Sequence, residues 1–129
     1  MEIKREIILE LEGEVKSKKN QYRRGRYGGM YKPKEVVDSE ESILGQIKEQ
    51  LIKFQAIELP FERPVEIMMF FEVDNFRKDF DNQYTTLQDI LVKAKVIKND
   101  NPKWVVRGSF EGTRTVQGQS RVRVVVREI

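Results

Sequence analysis

The sequence has 129 residues, a length that suits one domain with a hydrophobic core of its own. Charged residues make up 35% of it and aromatic residues 9%, a globular composition, and no apolar run reaches the roughly 18 residues that span a bilayer. The absence of cysteine excludes a disulfide framework and indicates a cytoplasmic protein, and the absence of histidine removes the usual general base and the usual zinc ligand.

The first half of the chain predicts a strand, a long basic loop and a helix. Alternating apolar residues predict the first strand over Arg5 to Val15. The following stretch, "KSKKNQYRRGRYGGMYKPKE", is too rich in glycine and charge for regular structure, and a loop of about twenty residues in a compact domain is usually functional or disordered. Asp38, followed three residues later by Glu41, predicts a capping box that opens a helix from Ser39 to Gln55.

The second half predicts three strands and one helix. The run "VEIMMFFEV", Val65 to Val73, is largely apolar on both faces and predicts a central strand. Apolar residues at helical spacing predict a second helix near Asn82 to Lys93. Two further strands, Trp104 to Glu111 and Ser120 to Ile129, flank a turn signal that predicts a hairpin. The predicted fold is α+β: one domain over residues 1–129, a small mixed sheet with two helices, in the order β-loop-α-β-α-β-β.

The positive charge of the chain is concentrated in one segment. Between Val15 and Lys34 there are eight basic residues and no acid, which leaves 16 basic and 21 acidic residues in the rest of the chain. Lysine and arginine neutralise phosphates, and the tyrosines between them can stack on exposed bases. This pattern favours a polyanion partner over a solvated loop with incidental charge. The candidate DNA-binding residues are Lys18, Lys19, Arg23, Arg24 and Arg26.

Aspartates gather where the central strand gives way to the second helix. Asp79 and Asp81 in "RKDFDNQYTT" are two residues apart, so in extended chain they point to the same side and can share a cation. The helix advances roughly 20 Å, and the residues from Lys95 to Asp100, running back in extended form, recover about as much, so Asp100 can rejoin the pair. Three carboxylates without histidine or thiolate suit Mg²⁺ or Mn²⁺. For each aspartate alone, a turn or a helix cap is the alternative.

The stretch "RKDFDNQYTTLQDILVKAKVIKND" resembles the core motif of the RusA family of Holliday junction resolvases. The family shows a basic-flanked D-x-D-N, a helix with a D-x-L element, and a later aspartate at the spacing that separates Asp81 from Asp100. Its members are small homodimeric, magnesium-dependent DNA endonucleases, often carried by phages and prophages. The resemblance implies that Asp79, Asp81 and Asp100 are catalytic residues that bind Mg²⁺, with Mn²⁺ as a substitute, and that the partner is a four-way DNA junction.

The resemblance extends to the basic loop but also has departures. "SKKNQYRRGR" is similar to the family's Ser-x-x-Asn loop, which adds Asn20 to the DNA-binding candidates. The family often has a lysine four residues after the second aspartate, where this chain has Thr85, and an Asp-Asp pair where this chain has Asn99-Asp100. Two further functions therefore stand beside a junction endonuclease. One is a non-catalytic DNA-binding protein of the same fold, and the other is a phage structural or interaction domain whose aspartates only cap a helix.

Overall fold

A computed structural model describes residues 5–16, 33–74 and 80–129, together with the backbone of 23–24 and 30–31. The α+β class and the predicted element order are confirmed, and none of the helices in these ranges is long and apolar enough to cross a membrane. In chain order the elements are β1 Glu6–Glu12, β2 Arg23–Arg24, β3 Met30–Tyr31, α1 Lys34–Leu51 with a 3-10 turn Ile52–Phe54, β4 Val65–Val73, α2 Phe80–Lys93, β5 Val105–Arg114 and β6 Arg121–Glu128.

The main sheet has four strands in the order β1-β6-β4-β5. β6 is antiparallel to both of its neighbours, whereas β4 and β5 are parallel, so the sheet is mixed as predicted. The internal position of β4 and its bounds are confirmed. The predicted hairpin of the last two strands is wrong, because the chain passes over the end of β4 before β6 begins. β6 is rich in valine and suits an inner position, whereas β5 carries glycine and polar residues that tolerate exposure at an edge.

The hydrophobic core lies between one face of the sheet and the two helices. Alternate side chains of β1, β4 and β6 point into it, α1 lies against β1, and α2 lies against β5. Leu87 and Leu91 of α2 and Ile43 and Ile47 of α1 are almost completely buried against these strands. The strand residues that complete the core are Ile7, Leu9, Leu11, Val65, Ile67, Met69, Phe71, Val73, Val122, Val124 and Val126.

The start of α1 differs from the prediction. The helix begins at Lys34, with Pro33 as its N-cap and no side-chain cap, so the predicted capping box is wrong and Asp38 lies inside the helix. Proline supplies a fixed φ near the helical value, and a helix start needs no donor from it. The early start also buries Val36 on the same stripe as the core residues of α1. Ser39 instead donates a hydrogen bond to the backbone oxygen of Glu14, two residues after the end of β1, at 2.9 Å.

Part of the basic loop is also more regular than predicted. β2 and β3 form a small antiparallel ribbon in which Arg23 pairs with Tyr31 and Arg24 with Met30. A two-residue strand is too short to show alternation, so no sequence pattern could reveal it.

The outer edge of β1 is closed by two glutamine side chains of α1. Gln50 accepts a hydrogen bond from the backbone nitrogen of Glu10 at 2.9 Å and donates to its backbone oxygen at 2.6 Å. Gln46 does the same for Glu12, at 2.7 and 2.9 Å. Each side-chain amide thus substitutes for a neighbouring strand, and these four backbone groups of the edge are satisfied.

Candidate functional site

The first turn of α2 holds Asp81 at the carboxyl ends of β4 and β5. Phe80, the preceding residue, packs its ring against Phe71 of β4, with ring centroids 5.6 Å apart. The same ring lies over Gly112 of β5, where a Cβ would come within 2.5 and 2.8 Å of two ring carbons. The glycine therefore allows the helix to approach β5 closely. The neighbouring Asp81 is exposed.

One turn further along α2, Tyr84 repeats this arrangement over Gly108. A Cβ on Gly108 would lie 2.9 Å from the Cζ atom of Tyr84 and closer still to its hydroxyl oxygen. That hydroxyl accepts a hydrogen bond from the amide of Gln88 at 2.9 Å. Burial raises the pKa of Tyr84 above its ordinary value of 10.0. The two glycines are four apart in a strand and so lie on one face, a spacing that could have indicated this contact from the sequence.

Asp100 lies in a turn at the other end of the sheet. The neighbouring backbone oxygen of Asn101 accepts hydrogen bonds from Trp104 and Val105, both at 3.0 Å, and the backbone oxygen of Trp104 accepts one from Val65 at 2.8 Å. These bonds fix the turn beside the first residues of β4 and β5. Asp100 is exposed there.

Asp81 and Asp100 are therefore not brought together within one chain. The predicted extended return from Lys95 does not form: the chain turns at Lys95, which has a φ of 61°, and Val96 and Ile97 are then buried. α2 has 14 residues, so its two ends lie about 21 Å apart. Asp79 lies outside the described residues. Across the ranges that the structure does describe, no three acidic side chains form a group able to hold a metal ion.

Asp74, at the end of β4, has a structural role. Its carboxylate accepts a hydrogen bond from the backbone nitrogen of Gly118 at 2.9 Å, and its own backbone nitrogen donates to the Ser120 hydroxyl at 3.2 Å. Both partners belong to the segment that crosses from β5 to β6. Asp74 thus fixes that crossing.

The position of the family lysine is occupied by a side chain that bonds to the helix. The hydroxyl of Thr85 donates to the backbone oxygen of Asp81 at 3.0 Å. Lys93, a nearby cation in the sequence, lies at the far end of α2 and forms an ion pair with Glu40 of α1. Lys78, the other nearby lysine, lies outside the described residues.

The predicted DNA-binding residues are only partly described. Arg23 and Arg24 lie in β2, whereas Lys18, Lys19, Asn20 and Arg26 lie outside the described residues. The arginines of the open sheet face are paired with glutamates and do not form a free basic surface. Their pairs are Arg121–Glu72 at 2.5 Å, Arg123–Glu10 at 2.6 Å, Arg127–Glu6 at 3.0 Å and Arg107–Glu66 at 3.4 Å.

Gln83 is a buried polar residue near Asp81 that the sequence did not indicate. It follows Asp81 by two residues, its side chain is 1% exposed, and neither its amide oxygen nor its nitrogen has a hydrogen-bond partner in the described part of the chain. A buried amide without a partner costs stability and is uncommon in native proteins. Glutamine is frequent on exposed helix faces, so the residue type alone did not indicate that this side chain is buried.

Comparison with known proteins gives the family. No family model matches the chain. Over 97 residues it is 36% identical to the crossover junction endodeoxyribonuclease RusA of Aquifex aeolicus (strain VF5), an alignment that covers 74% of this chain and 73% of that protein. The chain belongs to the RusA family. The resemblance drawn from the D-x-D-N stretch is thereby confirmed, whereas the assignment of catalytic residues in this RusA-family chain stays a prediction.

Proposed function

We propose that this RusA-family protein is a DNA endonuclease that resolves four-way junctions by paired hydrolysis of phosphodiester bonds. The identity of 36% to a crossover junction endodeoxyribonuclease carries the proposal. The exposed positions of Asp81 and Asp100 support it, because a catalytic carboxylate has to be accessible to a DNA backbone. A DNA substrate also accords with the predicted cytoplasmic location.

The proposed metal ligands are Asp79, Asp81 and Asp100, and the proposed ion is Mg²⁺, with Mn²⁺ as a substitute. Carboxylate oxygens are the donors that hard cations take, and a chain without histidine or cysteine offers no softer ligands. A bound cation of this kind activates water and neutralises charge on the scissile phosphate. The role of the protein in this reaction is to present the carboxylates at the surface and to hold the DNA beside them.

We further propose that the protein acts as a two-fold homodimer whose two chains share each site. Asp81 lies in the first turn of α2 and Asp100 in the turn that follows its other end, and the helix between them is about 21 Å long, so one chain does not bring both to a single cation. A second copy in the opposite orientation supplies its Asp100 to the Asp81 of the first. Two such sites per dimer would give the paired incisions that junction resolution requires.

The decisive experiment mixes two inactive variants. A labelled four-way junction is incubated with Asp81→Asn, with Asp100→Asn, and with both after co-refolding, in Mg²⁺ and in EDTA, beside a linear duplex. Each variant alone should be inactive. In the mixture, half of the dimers should be mixed, and each of these has one intact shared site, so about a quarter of the wild-type sites should return. A mixture that stays inactive, while wild-type protein cuts, would show that sites are not shared.

The basic segment between Val15 and Lys34 is proposed to bind the arms of the junction. The open sheet face is an unsuitable surface for this role, because its arginines are already paired with glutamates. Replacement of Arg23 and Arg24 by alanine should weaken junction binding. It should also make the plot of the logarithm of the binding constant against the logarithm of the salt concentration less steep, by the amount that about two lost phosphate contacts produce. Equal weakening at all salt concentrations would contradict an electrostatic role.

Binding without catalysis is the second candidate function, and Thr85 favours it. Its hydroxyl is bonded to the helix backbone, and the described structure places no lysine in the turn that contains it. A cation at this position would stabilise charge that develops in the transition state. Junction binding without any incision in Mg²⁺ or Mn²⁺ would establish this second function, and cleavage that rises in Thr85→Lys would identify the missing cation as its cause.

A further inference from the structure

The turn that carries Asp100 also gathers positive charge around a tryptophan ring. Two lysine side chains lie against Trp104: the Nζ atom of Lys98 is 4.7 Å from the ring centroid, and the Nζ atom of Lys103 is 5.4 Å from it. Both distances fall within the range in which an indole ring attracts an ammonium group. Two like charges, which repel each other, are thereby held close together at the surface.

The positive charge of this cluster is only partly compensated. Lys98 forms an ion pair with Glu62, with Nζ 2.7 Å from Oε2, but the side chain of that glutamate is 63% exposed. Lys103 forms no ion pair with any residue that the structure describes. The arginines of the open sheet face differ, because each of them has a glutamate partner. The cluster around Trp104 is therefore able to attract an anion from solution.

The backbone that carries the cluster is fixed by hydrogen bonds. The backbone nitrogen of Lys103 donates to the side-chain oxygen of Asn101, and that of Trp104 donates to the backbone oxygen of Asn101, both at 3.0 Å. The backbone oxygen of Trp104 accepts a bond at 2.8 Å from Val65, which is almost completely buried at the start of β4. A ligand that binds here therefore has little backbone to order, which favours binding.

We propose that Lys98, Lys103 and Trp104 form a binding site for a phosphodiester group of the DNA backbone. Lys103 contacts the phosphate, Lys98 adds positive charge, and Trp104 is a positioning residue that holds both ammonium groups. An ammonium group binds a phosphate as a point charge, so this site positions the DNA and does not read its bases. It is separate in sequence from the basic segment between Val15 and Lys34.

The identification of the anion as DNA rests on the proposed function. Asp100 precedes Lys103 by three residues in the same turn, so a phosphate bound to Lys103 lies close to the proposed metal ligand. The site would then hold the backbone of the junction where hydrolysis is proposed to occur. Binding is measured in EDTA, in which a metal-dependent nuclease does not cut, so the tests of this site are separate from the test of nuclease activity.

The first test uses Trp104 as a reporter, because it is the only tryptophan of the chain. Its fluorescence is recorded while wild-type protein is titrated with a four-way junction and, separately, with an abasic deoxyribose-phosphate oligomer, which has the backbone but no bases. A phosphate that binds the two ammonium groups changes the environment of the ring, so both ligands should shift its emission. A response to the junction alone would indicate base stacking, and a response to neither would show that DNA does not reach Trp104. Either result would overturn the phosphate site.

The second test removes one charge and follows junction binding by fluorescence anisotropy at several salt concentrations. In Lys103→Gln, the slope of the logarithm of the binding constant against the logarithm of the salt concentration should become less steep by about 0.9, the value for one phosphate contact. Lys103→Arg should restore the slope. The matched control is Lys53→Gln, the same loss of charge at an exposed residue of the 3-10 turn after α1, and it should leave the slope unchanged.

The role of Trp104 is tested by two replacements of its ring. Trp104→Leu should weaken junction binding several-fold, and Trp104→Phe, which keeps an aromatic face for the lysines, should weaken it less. Thermal unfolding confirms that each variant is folded. A Lys103→Gln variant with the wild-type slope would overturn the site even if the wild type cuts junctions. A wild type that binds without cutting would refute the nuclease, and a reduced slope in Lys103→Gln would still support the site.

Discussion

The contact between α2 and β5 gives a sharp prediction, because it depends on a missing side chain. In Gly112→Ala the new Cβ would lie 2.5 and 2.8 Å from two carbons of the Phe80 ring, and closer to a third. Ordinary carbon contacts are about 3.5–4.0 Å, so the ring has to move by about 1 Å or more. It cannot simply rotate away, since its other side packs against Phe71.

Such overpacking costs about 1–3 kcal/mol, and at roughly 3–5 °C per kcal/mol for a chain of this size it should lower Tm by about 3–15 °C. Asp81 follows Phe80 directly, so a displaced ring also displaces the first turn of α2. The rate of junction cleavage should therefore fall even at temperatures where the variant is fully folded, so that unfolding does not account for the loss.

Gly45→Ala is the matched control. Gly45 lies within α1, where an added Cβ would meet nothing within 4 Å. The same substitution there should raise stability by about 0.5–1 kcal/mol, because alanine favours a helix interior over glycine. Thermal and urea unfolding measure both variants, with cleavage assayed in parallel. A Gly112→Ala protein as stable and active as wild type would refute the close packing of α2 on β5.

Three further predictions concern the polar groups of the fold. Gln50→Ala should cost about 1 kcal/mol of unfolding free energy, and the double variant with Gln46→Ala should associate through the opened β1 edge, seen as concentration-dependent light scattering. Burial raises the pKa of Tyr84 in the folded state, so its contribution to the free energy of unfolding should be constant below about pH 10 and should fall above it. Urea unfolding of the wild type above pH 10 should therefore show a loss of stability that is smaller in Tyr84→Phe. Gln83→Leu should raise stability by about 1–3 kcal/mol by removing a buried amide without a partner, and a destabilised variant would show that the amide is bonded after all.

The sequence by itself determined the elements whose patterns are strong and local. The bounds of β4 follow from a continuous apolar run, and the end of α2 follows from helical spacing up to Lys93. The family followed from the D-x-D-N stretch and the spacing to Asp100, because such a motif is a property of the chain alone. The start of α1 was not determined in this way. The capping signal at Asp38 predicted a later start, but Pro33 and the burial of Val36 place the first residue of the helix at Lys34.

Only the tertiary structure decided which strands are neighbours and which aspartates can meet. Alternation shows that a strand has one covered face, but it does not identify the strands that pair with it, so the hairpin of β5 and β6 could not be excluded beforehand. The length of the segment before Asp100 allowed a return to Asp81, yet Val96 and Ile97 anchor the chain at the far end of α2 instead. Burial of those two side chains is a long-range effect, and it separates two carboxylates that the motif alone places in one site.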